Sequence, residues 1–266
     1  MMRIKVAASV MAVAVTCMLT GCNTLQRVES ELKKGGFTMW YPPEEDISPY
    51  DIWAFDGRGR TSIERAPEQL TPRNPNGSVI EFTTMKKEVD ANILVKANVG
   101  EQLLGEVGKL KAEFETGTVR DVALDFGDTR VYRIDLGDLK LARDAGELPA
   151  EYARILTLIQ NGNRDYVLLA AVVRTEGMLY KLTVEDSTKF DAGLEGAIEG
   201  VLGVDVTINV KSETEVELSI PSGTTLAIGF SRLRPKYLDP GITEVAIDTE
   251  DDLEYIRLIS EPFEPN

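Results

Sequence analysis

Between Val204 and Ile220 the chain reads VDVTINVKSETEVELSI, with an apolar residue at almost every second position. Val204, Val206, Ile208 and Val210 alternate with Asp205, Thr207, Asn209 and Lys211. After a short polar break, Val216, Leu218 and Ile220 alternate with Glu217 and Ser219. A period of two sends successive side chains to opposite faces of an extended strand, so this stretch carries one oily face and one wet face. Two settings satisfy it. The strand lies on a soluble core, or it lines a membrane barrel with lipid on one side and water on the other.

The rest of the chain is read with the same two periods. Asn23 to Lys34 has a helical stripe of Leu25, Val28 and Leu32, stopped by Gly35-Gly36. A short strand is expected over Phe37 to Tyr41, ended by Pro42-Pro43. Residues 42–77 are proline- and turn-rich and read as packed loops, with a short strand near Ile52 to Phe55. Alternation runs through Val89, Ala91, Ile93, Val95, Ala97 and Val99, gives way to helical spacing over Glu101 to Lys111, and returns at Lys111 to Phe126 and Val131 to Leu136. Glu151 to Gln160 reads as a helix and Asn161-Gly162-Asn163 as a turn. Tyr166 to Val173 reads as a buried strand that pairs with Leu179 to Val184 across Thr175-Glu176-Gly177. Phe190 to Leu202 is helical in pattern. Two strand–helix–strand blocks of similar layout result, near 79–126 and 166–220.

Charge and composition exclude several functions. The 266 residues carry a formal net charge of -15. Phosphate backbones are bound by clustered Lys and Arg, so no nucleic-acid partner is expected. There is no histidine, which removes Ser-His-Asp and Cys-His catalysis and histidine zinc sites. Carboxylate pairs such as Glu115 with Asp121, or Asp125 with Asp128, read as solvated strand and turn faces. The acidic run Asp248 to Glu254 lacks the glycine and alternate spacing of a calcium loop. No enzyme activity, metal or cofactor is expected.

The N-terminus points to a membrane. Arg3 and Lys5 precede an apolar run from Val6 to Leu19, short for a span of about 20 residues. Leu19-Thr20-Gly21-Cys22 follows, and this arrangement reads as a secretory signal. Its ending resembles the lipobox of bacterial lipoproteins, in which the cysteine is acylated and becomes the first mature residue. The resemblance implies a signal peptide over 1–21, lipidation at Cys22 and a lipid-anchored place in the cell envelope, on the periplasmic or extracellular side. Loss of Arg3 and Lys5 would take the net charge from -15 to -17.

Read in order, the remaining segments resemble the bacterial gasdermins, relatives of the animal gasdermin pore-forming domain. The matching stretches are Leu32-Lys33-Lys34-Gly35-Gly36-Phe37 leading to Tyr41-Pro42-Pro43 and Ile47-Ser48-Pro49-Tyr50. They continue with Leu103-Leu104-Gly105, Val119-Arg120-Asp121, Val131-Tyr132-Arg133-Ile134-Asp135, Asp165 to Leu169, and Ile220-Pro221-Ser222-Gly223-Thr224-Thr225-Leu226-Ala227-Ile228. The resemblance spans roughly residues 24–235. It implies an α+β fold, with a twisted, mostly antiparallel central sheet, peripheral helices and a single domain over 22–236. It also implies a short C-terminal segment, 237–266, that holds the domain inactive until a protease releases it. The blocks would then refold as amphipathic β-hairpins and assemble as a homo-oligomeric pore in a lipid bilayer.

On that reading the candidate membrane-inserting positions are Val89, Ala91, Ile93, Val95, Val204, Val206, Ile208 and Val210. The candidate cleavage region holds Arg234, Lys236, Asp248, Asp251 and Asp252. In the tail, Asp239-Pro240-Gly241 reads as a turn, Ile242 to Ile247 as a strand, and Leu253, Ile256 and Ile259 as an apolar stripe. One departure stands out: the bacterial gasdermins lack a cleaved secretory signal, although they carry a lipidated cysteine ahead of the first helix. The other reading is a non-enzymatic envelope lipoprotein that binds a protein partner or acts as a scaffold.

Overall fold

A computed structural model of the chain describes residues 32–56, 59–79, 93–96, 119–189, 195–196, 199, 204–239 and 252–263. The strands are β1 (Thr38–Glu44), β2 (Ile52–Asp56), β3 (Gly59–Glu64), β4 (Ser78–Val79), β5 (Ile93–Lys96), β6 (Val119–Arg133), β7 (Tyr166–Val184), β8 (Thr207–Ser212), β9 (Glu215–Leu233) and β10 (Ser260–Glu261). Helices α1 (Leu136–Asp144) and α2 (Ala150–Gln160) separate β6 from β7, and α3 (Asp252–Ile259) leads into β10. This is the expected α+β fold, and its sheet registers are antiparallel. The candidate strand at Val89 and Ala91, the helix over 101–111 and the strand over 242–247 lie outside the described residues.

By its internal contacts the chain divides into two units. Residues 31–81, 128–175 and 225–266 form one; the described parts of 82–127 and 176–224 belong to the other. Each long strand, β6, β7 and β9, changes unit along its length.

In the first unit the strand order is β1-β9-β7-β2-β3. Thr38 pairs with Phe230, Leu168 with Ile52, and Trp53 with Ser62. β7 explains why Tyr166 to Val173 reads as an unbroken apolar run. Leu168 and Ala170 join the core built with α1 and α2, whereas Val167, Leu169 and Val172 join a second core of aromatic rings. A strand covered on both sides has no wet face and loses its alternation. The helices are amphipathic in the usual way. Leu136, Leu139 and Ala142 of α1, and Tyr152, Ile155, Leu156 and Ile159 of α2, point into the core at spacings of three and four. Asp135 caps α1, its carboxylate accepting from the N–H groups of Gly137 at 2.8 Å and Asp138 at 3.2 Å.

In the second unit β8 and β9 form a hairpin, with Ile208 opposite Leu218 and Val210 opposite Val216. β5 pairs with β6, Ile93 opposite Leu124 and Val95 opposite Val122. Val216, Leu218 and Ile220 are buried, as are Met178, Tyr180, Leu182 and Val184 of β7.

Several sequence expectations need correction. β1 does not end at Pro42-Pro43 but runs through to Glu44. Proline removes a donor, and β1 tolerates this because β9 is its one partner among the described strands and the register shifts between Met39 and Glu44. No hairpin turn forms at Thr175-Glu176-Gly177, because β7 continues from Tyr166 to Val184. Gly177, at φ +75°, absorbs the local distortion. Likewise β6 is one strand through Phe126 to Val131. Helix α1 and strand β3 were not expected from the pattern. The turn at Asn161-Gly162 and the stop at Gly35-Gly36 form as expected, with Gly36 at φ +84° and Gly162 at φ +85°.

A buried polar knot ties the loop before β2 to the helices. Tyr50 sits at φ +73°, an uncommon conformation for an aromatic residue. Its carbonyl accepts from Tyr152 Oη at 2.6 Å, and its own hydroxyl accepts from the Asp135 N–H at 2.6 Å and donates to the Thr71 carbonyl at 3.0 Å. Tyr152→Phe would leave a buried carbonyl without this donor at a strained residue. It is expected to destabilise the fold by about 1–3 kcal/mol in urea unfolding. A change within error would mean that the knot does not hold Tyr50 in place.

Candidate functional site: a C-terminal clasp

The tail is held at one place by contacts of several kinds. In α3, Tyr255, Ile256 and Ile259 are buried and Glu254 and Arg257 are exposed. The guanidinium groups of Arg73 and Arg133 lie over the Tyr255 ring at 4.6 Å and 4.8 Å. Tyr255 Oη accepts from the N–H of Leu136, the first residue of α1, at 3.3 Å. The Ser260 hydroxyl donates back to the Ile256 carbonyl at 2.6 Å and closes the helix.

β10 then adds to the edge of β9, Ser260 opposite Leu233 and Glu261 opposite Arg232, next to where β1 pairs at Gly229 and Phe230. Arg234 reinforces this register. Its backbone N–H donates to the Ile259 carbonyl at 3.0 Å, its Nε to the Ser260 carbonyl at 2.9 Å and its Nη2 to the Arg257 carbonyl at 3.3 Å. The Glu261 carboxylate lies 2.6 Å from Arg232 Nη2 and 3.9 Å from Arg234 Nε.

Beyond β10, Phe263 seats in the aromatic core. Its ring lies 4.4 Å from Phe55 and 6.1 Å from Phe230, and Phe230 in turn lies 5.1 Å from Trp40. One hydroxyl fixes its backbone from both sides: Thr38 Oγ1 donates to the Phe263 carbonyl at 2.8 Å and accepts from its N–H at 2.6 Å. The arrangement is strand addition with an aromatic anchor, a mode used to bind extended peptides. It also covers a stretch of β9 edge whose backbone groups would otherwise present a template for another strand.

A second polar cluster lies in the same unit, at the loop before β2. The Asp51 carboxylate accepts from the N–H of Ser48 at 2.9 Å and of Ala66 at 2.8 Å, and from Arg65 Nη1 at 3.2 Å. Burial pushes its carboxyl up against the pull of those donors. Arg174 Nε donates to the Ile47 carbonyl at 2.8 Å and Nη2 to Ser48 Oγ at 2.7 Å, and its guanidinium lies over the Tyr132 ring. These groups satisfy one another and hold the loop.

Of the candidate cleavage residues, Arg234 is the residue that grips the tail backbone. Lys236 is exposed on the short turn Pro235–Leu238, over the Tyr237 ring at 4.9 Å, and Asp252 opens α3. Asp248 and Asp251 lie outside the described residues, as does Cys22. Of the candidate membrane positions, Val204 and Val206 are buried, Ile208 is half-buried and Val210 is 53% exposed. Ile93 and Val95 lie on β5. The clasp residues Thr38, Tyr255 and Phe263 did not emerge from the sequence. Phe263 carries no periodic signal, and Tyr255 falls between the apolar positions of the stripe.

Among the described residues no group of three or more side chains could hold a metal ion. No described helix is long and apolar enough to cross a membrane, a statement that does not bear on strands. No protein-family model matches the sequence, and no curated protein matches it. Among solved structures the chain is similar to a bacterial gasdermin from Bradyrhizobium tropiciagri, at 13% identity and a TM-score of 0.43, with 77% of this chain and 84% of that chain covered.

Proposed function

We propose that this chain is a membrane pore-forming protein anchored at Cys22 and held inactive by its C-terminal segment. A protease cut in the segment between Asp239 and Asp252 would release the tail, and the amphipathic strands would then assemble in a bilayer. The observation that carries the reading is the clasp. Residues 255–263 bind through a short strand, the buried rings of Tyr255 and Phe263 and the Arg234 contacts, and they cover a sheet edge. While the chain is intact the tail sees its site at a high effective concentration; once cut, it dissociates into bulk solution and rebinding falls accordingly. The emergence of Val210 from the apolar face of β8 is in keeping with a strand that has a second use.

A protease site engineered near Asp248 tests this directly. Cutting is expected to convert an inert protein into one that permeabilises vesicles and forms large oligomers. If the cut chain stays monomeric and vesicles stay sealed, the reading fails and an envelope lipoprotein without pore activity is favoured.

A further inference from the structure

The edge of β8 away from β9 carries an unusual cover. Among the described strands β8 pairs with β9 alone. On its other edge the N–H of Val206 donates to the Glu199 carboxylate at 3.1 Å, and the N–H of Ile208 donates to the Glu195 carboxylate at 3.2 Å. Glu195 and Glu199 are four residues apart and both helical, so they share one helix face. Val206 immediately precedes β8 and Ile208 is its second residue, and the amides of both are met by this pair of carboxylates. The two carboxylates thus occupy the places where carbonyl oxygens of a neighbouring strand would sit. A side-chain cap of this kind protects an edge, and the edge is exposed when the glutamates let go and the helix that carries them moves aside, without unfolding of the strand.

We propose that the β8 edge is a docking surface for β8 of a second copy of this chain, with Glu195 and Glu199 as its removable cover. The sequence of the strand selects the partner. Antiparallel pairing about Ile208 sets Ile208 opposite itself and Val206 opposite Val210, and it makes these the hydrogen-bonded pairs because their amides face outward. On the other face it sets Thr207 opposite Asn209 and, with β8 extended by two residues ahead of Thr207, Asp205 opposite Lys211. The two-fold axis repeats the Asp205–Lys211 match, so two opposite-charge pairs flank an apolar centre. Such pairing would also cover Val210, which is 53% exposed in the single chain. Lys211 now pairs with Glu217 of β9 at 2.9 Å, with half its side chain exposed, and has room for a second acidic neighbour. This docking goes beyond tail release and does not depend on it.

Sedimentation of the full chain in solution, without vesicles or protease, provides the test. Glu195→Ala with Glu199→Ala is expected to raise dimer affinity at least tenfold over the parent. Adding Val210→Lys should abolish the dimer. Adding Asp205→Lys instead should weaken it at least tenfold, and Lys211→Asp on top should restore it. A double-alanine chain with the parent's circular dichroism that stays monomeric overturns the proposal, as does a dimer indifferent to Asp205→Lys. If the double-alanine chain loses the parent's circular dichroism, the parent itself carries the test. Its Val206 and Ile208 amides should exchange at least tenfold more slowly as concentration rises to millimolar, and concentration-independent exchange overturns the proposal.

Discussion

Ile259→Asp is expected to undock the tail while the rest of the first unit stays folded. Ile259 is fully buried against a core that includes Leu233, Tyr237 and Leu238. The change removes apolar packing of about 2–5 kcal/mol and places a carboxylate in a buried apolar core. The strain falls on the tail because the tail is the element with the least to lose. β10 is two residues long and its helix eight, whereas α1, α2, β7 and β9 are tied together independently of it. Hydrogen exchange reads the outcome. The Arg234 amide, bonded to the Ile259 carbonyl, and the Phe263 amide, bonded to Thr38, should each lose protection by about two to three decades, since each 1.4 kcal/mol is tenfold. On the proposed function the same variant leaks vesicles without proteolysis. Retained protection at both amides would show that the tail is part of the permanent fold. Lost protection without leakage would leave the clasp intact as a structural finding and count against the pore.

The other large effect is expected at Gly127→Ala. A Cβ built there would lie 1.8 Å from the Glu176 carbonyl oxygen and 2.9 Å from its carbon. Both atoms are backbone in the middle of β7, so no rotamer change relieves the overlap and one strand must move. A loss on the order of 3 kcal/mol is expected, and with it a fall in Tm of roughly 6–12 °C. Gly196→Ala is the matched control. Gly196 is helical with nothing within 4 Å of the added carbon, so the same methyl group should be neutral or stabilise by up to about 1 kcal/mol. Equal melting temperatures for the two variants would mean that the close approach at Gly127 does not exist.

The residues that could be read in advance are those whose neighbours along the chain decide them. The pleat of a strand makes period two visible, so the alternation of Val204 to Val210 and of Val216 to Ile220 was legible as strand, while their pairing as a hairpin was not. The 3.6-residue turn made α2 legible, and the positive φ that glycine accepts made the stops at Gly36 and Gly162 legible. α1 escaped because its pattern is diluted by Leu141, which is 70% exposed on the polar side. β3 escaped because an edge strand with half-buried faces carries little alternation.

What the sequence by itself determined, then, is the local kind of each element: which stretches alternate, where helices stop, and that an acidic chain without histidine ends in an amphipathic tail. Tertiary structure alone decided how far strands run and what their edges meet. Thr38 and Phe263 lie 225 positions apart and bond through one hydroxyl. Gly177 continues β7 where a turn was expected, at φ +75° and with the carbonyl of Ile220 3.0 Å from where its Cβ would be. Glu195 and Glu199 read as helix surface, yet they cap the amides of Ile208 and Val206. Periodicity records which face of an element is buried. It carries no record of which distant backbone group fills an edge, because that choice is made by packing between segments remote in sequence.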